Sequence, residues 1–528
     1  MSAGVAVSRL AVGQVRRGTV VVALLVGGLS AMVAVQYRQT LAGSTSSSGL
    51  EALAANPAIR TLFGTPVALD DAGGFTVWRT GTAVACLVGV WALLTATRVS
   101  RGEEESGRWG LLLAGRLRLR AVVGRYLVVL LAAQVVVGTA LAAGLTAAGT
   151  RLPGAALHAV GIALVGAFFA ALGMAAAQLT GDRRTASGAG AAVLGFLLLV
   201  RMVADGVDAL AWLAWFTPFG LLARTEPYAA DRVLPLAVLA SASGALALAS
   251  WIAAGRRDVG SGLVATHPSR RSRTGLLGSL PGIAVRRARP GTAAWGAGIG
   301  AYYLLIGLMA VSLTDFLSQN PRFAELAAQA GFARLGSVEG YTATLFALLA
   351  VPLGAYAAAR VATDAADEAA GRLTPVFAAP VSRVRWAATQ TGATLLGCVL
   401  LAVTAAVATW IGTRAVGAPL GPGAALAGAL NLVPVAVLSL GAALLALGWA
   451  PRAVLAVGAL PAAGGFLLTV LADSLGWPRW TAQISPYAHV AAVPSEPVDV
   501  TGAVGLLTLA AVLGAVGVAR YARRDLRG

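Results

Sequence analysis

Long apolar stretches alternate with short charged segments along the whole chain. Twelve of these stretches are long enough to cross a bilayer as helices, since about 20 apolar residues span ~30 Å of hydrocarbon. They cover roughly residues 19–37, 80–97, 122–148, 155–179, 187–204, 233–254, 293–313, 341–359, 387–411, 424–448, 453–471 and 501–519. The pattern predicts an all-α polytopic membrane protein with twelve transmembrane helices.

The first apolar stretch is predicted to be a retained membrane helix whose N-terminal side lies inside the cell. It follows Arg9, Arg16 and Arg17, and such clusters favour the cytoplasmic side. It is too long for the apolar core of a signal peptide, and no clear small-residue cleavage site follows it. With twelve spans, both termini are expected in the cytoplasm.

The charged residues follow this predicted topology. Segments assigned to the inside carry 29 arginines and 9 acidic residues, whereas outside segments carry 10 arginines and 13 acidic residues. The inside charge is therefore +20 and the outside charge is −3, and Arg201 within the fifth span completes the net charge of +18. Because the two sides have opposite signs, we attribute the basic character to membrane topology and predict no nucleic-acid partner.

Composition narrows the possible functions further. Of 528 residues, 58% are hydrophobic and 12% charged, and the mean hydropathy of +0.78 excludes an ordinary soluble protein. All 40 basic residues are arginine, so no Walker A loop, which requires lysine, can exist on this chain. The 2 cysteines and 3 histidines are scattered, and neither a metal site, a disulfide scaffold nor a catalytic centre is predicted.

The chain contains an internal duplication with an offset of about 264 residues. Short motifs recur in the same order in both halves. They include Glu104-Glu105-Ser106-Gly107-Arg108 with Glu368-Ala369-Ala370-Gly371-Arg372, Asn56-Pro57 with Asn320-Pro321, and Arg256-Arg257-Asp258 with Arg523-Arg524-Asp525. We therefore predict two parallel six-span halves, residues 1–255 and 293–528, joined by a basic cytoplasmic linker over residues 256–292.

The cytoplasmic loops after spans two and eight are the most informative repeated segments. In each, a glutamate precedes an arginine by four residues, so that Glu104 with Arg108 and Glu368 with Arg372 could form helical ion pairs. A glycine, Gly107 or Gly371, interrupts each helix. Such a segment could be a solvated loop, but its repetition in two otherwise diverged halves favours a docking surface for another protein.

At these residues the chain resembles the coupling-helix region of type-2 ABC exporter permeases. Its fused twelve-span form, with a long first outer loop in each half, is similar to actinobacterial permeases for polyketide antibiotics and other drugs. The residues that carry the resemblance are Glu103, Glu104, Glu105, Gly107, Arg108, Glu368, Gly371 and Arg372.

The resemblance implies a permease of the bacterial plasma membrane that exports lipophilic drugs or antibiotics by alternating access. A separate ATPase, with two copies per permease chain, would carry the ATP and Mg²⁺ and dock on the coupling loops. Replacing Glu104 or Glu368 by arginine is then expected to abolish coupling in a folded protein. The alternative is a proton-coupled twelve-span secondary transporter, which the scarcity of acidic residues and histidines in the spans disfavours. A membrane-embedded enzyme or scaffold has less support.

The substrate pathway can be predicted only as a set of candidates. These are Trp91, Phe196, Arg201, Tyr302, Tyr303, Phe346 and Phe466. Aromatic residues in membrane helices more often pack or face lipid, and Arg201 could either serve the pathway or extend to the outer interface. The spacing of Gly296 and Gly300 predicts close helix packing and not a binding site.

Overall fold

The computed structural model describes residues 3–40, 60–61, 63–115, 117–264, 275–319, 336–475 and 477–524. Within these ranges the chain is helical and contains no strand. It divides into two compact units, Met1–Arg270 and Arg271–Gly528. The repeated Asn56-Pro57 and Asn320-Pro321 motifs, and Asp525, lie outside the described residues.

The first unit contains six helices with the length and hydropathy of membrane spans. In chain order, spans 1 to 6 are Gly4–Gln39, Ala72–Glu105, Leu119–Ala147, Leu152–Leu179, Arg183–Gly206 and Leu234–Ala254. Shorter helices lie between them at Arg108–Leu113, Asp208–Phe216 and Pro218–Ala223. Span 4 is the most buried of the six spans.

The second unit repeats this arrangement. Spans 7 to 12 are Leu280–Gln319, Val338–Ala369, Arg383–Ala415, Pro422–Trp449, Pro451–Thr469 and Val500–Arg523. Short helices occur at Thr374–Phe377, Arg479–Gln483 and Pro486–His489, and the helix of span 11 continues to Leu475. Span 10, the fourth of this unit, is its most buried span. The twelve spans predicted from the apolar pattern are thus confirmed, and the fold is that of a polytopic α-helical permease.

Span 7 begins earlier than its apolar stretch. Its helix starts at Leu280, inside the segment predicted as a linker over residues 256–292. The reason is local, because the Ser279 hydroxyl accepts a hydrogen bond from the Gly282 amide and Pro281 occupies the first turn. Both features favour a helix N-terminus regardless of hydropathy. Residues 265–274 of the predicted linker lie outside the described residues.

Candidate functional site

Span 2 ends in a bent segment that we call loop A, residues 103–115. A π-helical turn, Arg98–Gly102, carries the helix of span 2 into three glutamates. Gly107 then adopts a left-handed conformation with φ of +76°, and the helix Arg108–Leu113 follows. The left-handed residue reverses the local helical path, so Gly107 separates two short helices that point in different directions.

Glu104 is buried beneath loop A in a network of arginines. Its two carboxylate oxygens accept hydrogen bonds from Nη1 and Nη2 of Arg257, both at 2.7 Å, and one oxygen also accepts from the Gly260 amide at 2.6 Å. Arg101 lies 3.2 Å from the carboxylate, and the side chains of all three ionic residues are 1% exposed. This network ties the end of span 2 to the segment that follows span 6.

The second unit contains the same arrangement after span 8, in loop B, residues 367–382. Glu368 is buried and accepts a hydrogen bond from Nη2 of Arg524 at 2.6 Å. Gly371 is left-handed, with φ of +70°, and the helix Thr374–Phe377 follows. Arg257 and Arg524 hold the same place in the repeated Arg-Arg-Asp motif. In each half an ion pair therefore joins the end of the second span to the segment that follows the sixth, with the Arg257 side chain 1% exposed and that of Arg524 15% exposed.

The ion pairs predicted within each loop are shifted by one residue. Arg108 forms a bidentate pair with Glu103, at 2.6 and 2.7 Å, and not with Glu104. Arg372 likewise pairs with Asp367, at 2.6 Å, and not with Glu368. The predicted i,i+4 pairs do not form, because the left-handed glycine between the two residues interrupts the helix that would bring their side chains together. The Glu103 carboxylate raises the pKa of the Arg108 guanidinium through this hydrogen bond.

Several charged residues of these two ion-pair networks were not identified from the sequence. Asp367, Arg101, Arg257 and Arg524 were not predicted as site residues. A signal for the last two exists in the sequence, since both are the middle residue of the motif that closes each half.

Loop A presents a partly apolar surface away from the membrane spans. Leu111 is 81% exposed, and the Arg108 side chain is also largely exposed. Trp109 between them is fully buried and packs against Tyr126 of span 3, with ring centroids 5.5 Å apart. In loop B, Arg372 is exposed and Phe377 packs against the buried Trp386. Each loop is thus anchored by an aromatic contact, and its arginine is exposed at the surface although it is paired with an acid of the same loop.

Replacing Gly107 by alanine should destabilise the protein by about 1–2 kcal/mol, the cost of the left-handed conformation for an L-residue. No atom of the described residues lies within 4 Å of the position that the new Cβ would occupy, so we expect the cost to come from the backbone conformation. The thermal unfolding midpoint of the purified variant measures it. Gly110→Ala is the matched control, because Gly110 is helical with the same open space and should gain about 0.5–1 kcal/mol. Equal shifts for both variants would contradict the expectation.

The aromatic pathway candidates of the second unit form a packed cluster. Tyr303 and Phe346 are buried, stack with centroids 5.8 Å apart, and the Tyr303 hydroxyl donates to the Leu345 carbonyl at 2.9 Å. Tyr302 packs edge-on against Tyr303. Phe466 contacts Tyr487 instead. The structure therefore brings three of the four residues together, within a packed helix interface.

The three candidates of the first unit have different environments. Trp91 of span 2 is half-buried, with its indole beside Gly18 of span 1. Phe196 of span 5 is largely exposed. Arg201 is 2% exposed and pairs with Asp205 at 2.5 Å, so its guanidinium is held within the protein and does not extend to the surface.

Spans 7 and 9 border an apolar groove of about 790 Å³ in the second unit. Gly296 and Gly300 line it, and an added Cβ at either would have no neighbour closer than 3.3 Å. An added Cβ at Gly300 would lie 3.3 Å from Cγ2 of Thr404, and one at Gly296 would lie 3.5 Å from Cδ2 of Leu401, so side chains of span 9 lie directly against both glycines. The two backbones approach each other more closely further along the same helices, where an added Cβ at Gly307 or Gly412 would lie 2.5 Å from a backbone oxygen. None of the seven pathway candidates is among the residues that line this groove.

Twelve apolar helices in two repeated units define a multi-pass α-helical membrane permease. The chain is 30% identical over 497 residues, 92% of its own length and 88% of the relative's, to the multidrug efflux system permease protein Rv1217c of Mycobacterium tuberculosis (strain ATCC 25618 / H37Rv). Residues 277–522 match the family described as the C-terminal domain of the multidrug efflux system permease Rv1217c. The protein belongs to this family of multidrug efflux system permeases, which confirms the resemblance drawn from its sequence.

Proposed function

We propose that the protein is the permease subunit of an ATP-driven ABC exporter that moves lipophilic drugs or antibiotics out of the cell. A separate ATPase binds ATP and Mg²⁺, and two copies of it dock on loops A and B. Closure and opening of the ATPase pair switch the permease between inward-facing and outward-facing states. The permease chain itself supplies the pathway and no catalytic residue.

The observation that carries this proposal is the duplicated geometry of the two loops. In each unit an exposed arginine lies on a short segment whose base is fastened by a buried ion pair, Glu104 with Arg257 or Glu368 with Arg524. A force on such a loop is transmitted to two spans at once, because the ion pair joins their ends. Burying the two charges of such a pair carries a desolvation cost. This cost is more readily explained if the loop must be held firmly against a partner than if it is simply solvated.

The distribution of arginines supports an orientation with both loops and both termini in the cytoplasm of the bacterial plasma membrane. The same orientation places the loops where ATP is available. Cysteine substituted at the exposed position Ala114 of loop A should be labelled by a membrane-impermeant maleimide only after the cells are opened.

The decisive experiment reconstitutes the permease in liposomes with an ATPase encoded beside its gene. ATP-dependent accumulation of a lipophilic dye, abolished by a Walker A substitution in the ATPase, would support the proposal. Transport that persists without ATP and stops when the proton gradient is collapsed would establish the proton-coupled alternative.

Filling the groove between spans 7 and 9 should reduce transport of lipophilic cargo if the cargo contacts this apolar surface. We expect Gly296→Leu with Gly300→Leu to lower dye transport several-fold in the same liposomes, with the basal ATPase rate unchanged. Gly298→Leu is the matched control, since Gly298 lies on the same helix, has no atom within 4 Å of an added Cβ and does not line the groove. Equal transport by all three proteins would exclude the groove from the pathway.

A further inference from the structure

A small cavity in the first unit lies between spans 2, 4 and 5 and the short helix Pro218–Ala223. Its volume is about 50 Å³, and its lining includes Trp78, Gly81, His158, Arg201, Phe219 and Leu222. Most of this lining is apolar. The polar side chains of the lining are those of Thr65, Thr82, Trp78, Arg201 and His158. The indole N–H of Trp78 is already used, since it donates to the Gly64 carbonyl at 2.9 Å, and we therefore consider Arg201 and His158 as donors to a bound group.

Arg201 has hydrogen-bonding capacity that the protein does not use. Its Nε lies 2.5 Å from Oδ2 of Asp205, and its Nη2 donates to the Phe63 carbonyl at 3.2 Å. Its Nη1 is buried and has no hydrogen-bond partner among the residues that the structure describes. A buried N–H group without an acceptor costs about 1–3 kcal/mol, so a group that supplied the acceptor would be bound favourably.

His158 provides a second unused group on the wall of the same cavity. The side chain lies on span 4 and is 2% exposed, and within the described part of the chain its buried Nδ1 has no hydrogen-bond partner. A neutral imidazole can donate one hydrogen bond from either nitrogen. Arg201 and His158 together therefore offer at least two donors to a ligand in the cavity.

The surrounding charges favour an anion. Arg201 is the arginine that lines the cavity, and it is paired with Asp205. Arg60 forms an ion pair with Asp208 at 2.7 Å, but the Asp208 side chain is 83% exposed and its charge is screened by solvent. The Arg60 side chain is only 22% exposed, so its positive charge is screened less than the negative charge of its partner. The apolar walls strengthen the attraction of that charge for an anion.

We propose that this cavity binds a carboxylate group, which accepts hydrogen bonds from Arg201 and His158. The cavity is too small for a whole drug molecule, but a carboxylate fits, whether it belongs to a free small acid or to the end of an amphipathic cargo. In the second case the inference rests on the proposed export function and narrows the cargo to acidic amphiphiles. Water is the competing occupant, since a cavity of about 50 Å³ admits one or two water molecules at ~30 Å³ each.

Binding can be measured on the permease alone, without ATPase or transport. The full chain is placed in phosphatidylcholine nanodiscs and titrated with 11-(dansylamino)undecanoic acid or its methyl ester, with empty nanodiscs as background. We expect the acid to bind at least tenfold more tightly than the ester. Acetate that displaces the probe would identify a site for free small acids, whereas displacement by octanoate alone would identify a site for the end of an amphiphile.

Variants test whether the cavity is responsible. Arg201→Gln with Asp205→Asn removes the ion pair as a unit, leaves no buried charge unpaired and should reduce acid binding to the level of the ester. Arg151 and Asp71 form an ion pair 3.3 Å apart in the same unit, with side chains 63% and 25% exposed, and neither lines the cavity. Arg151→Gln with Asp71→Asn is the matched control, because asparagine can still cap span 2, and this variant should bind as the wild type does.

His158→Leu preserves the Arg201 ion pair, so its fold is secure even where the double variant fails to fold, and it should weaken acid binding several-fold. Equal binding of acid and ester by the wild type, or undiminished preference for the acid in His158→Leu and the double variant, would overturn the proposal and leave water as the occupant. Failure of ATP-driven transport would not affect this result, because the measurement requires no partner.

Discussion

Glu104→Leu is expected to destabilise the folded protein by about 3–5 kcal/mol, the usual cost of removing one partner from a buried ion pair. The glutamate neutralises two arginines, Arg101 and Arg257, whose side chains are each 1% exposed. Its loss would leave both guanidinium groups buried without an acid. The thermal unfolding midpoint of the purified permease in detergent, followed by tryptophan fluorescence, measures the effect.

Two variants make this expectation specific. Glu103→Gln removes the charge of a buried glutamate but retains its shape and one acceptor oxygen, and the Arg108 side chain that it leaves without an acid is 63% exposed and hydrated. We therefore expect it to cost about 1 kcal/mol, less than Glu104→Leu. Glu104→Leu with Arg257→Leu removes both sides of the principal pair and should recover part of the lost stability. If Glu103→Gln and Glu104→Leu proved equally mild, the buried network would not hold the loop.

The same network changes how coupling should be tested. The sequence suggested that Glu104→Arg would uncouple a folded permease. In the structure this substitution would place a third arginine against two buried ones, so we expect it to prevent folding. Glu368→Arg would place a second guanidinium against Arg524, whose side chain is 15% exposed, and we expect it to destabilise the fold less than Glu104→Arg does. Exposed residues of the loops are the appropriate positions for a test of docking.

Leu111→Asp is expected to reduce ATP-driven transport at least tenfold while leaving stability unchanged. The side chain is 81% exposed on the short helix of loop A, so its replacement disturbs no internal packing. If loop A docks on the ATPase as proposed, the apolar side chain becomes buried on binding, and a carboxylate there must be desolvated without a partner. Co-purification of the ATPase and ATP-dependent dye transport in liposomes measure the loss.

Leu277→Asp provides the control for this experiment. Leu277 is an exposed leucine, at 46%, that precedes span 7 and belongs to neither loop. Its variant should bind the ATPase and transport dye as the wild type does. Wild-type transport by Leu111→Asp would show that loop A is not the docking surface, whereas an equal loss in Leu277→Asp would point to a nonspecific effect of the added charge.

The sequence predicted where the two candidate loops lie along the chain, but it did not predict which residues their acids contact. The repeated acid, glycine and arginine identified both loops, and the left-handed conformations of Gly107 and Gly371 agree with their predicted role as interruptions. The partners of the acids lie far along the chain, with Arg257 153 residues from Glu104 and Arg524 156 residues from Glu368. A local i,i+4 rule cannot predict contacts at such separations.

The sequence by itself predicted twelve spans, because a helix that crosses the hydrocarbon must be apolar over about 20 residues. It also predicted two related halves, because short motifs recur in the same order about 264 residues apart. Only the tertiary structure decided which charges pair, which glycines allow close approach and which aromatic residues are buried in helix interfaces. Each of these depends on the rotation of a helix about its axis and on its neighbours. In long helices such as spans 4 and 9, which are apolar on nearly every face, the order of residues leaves that rotation undetermined.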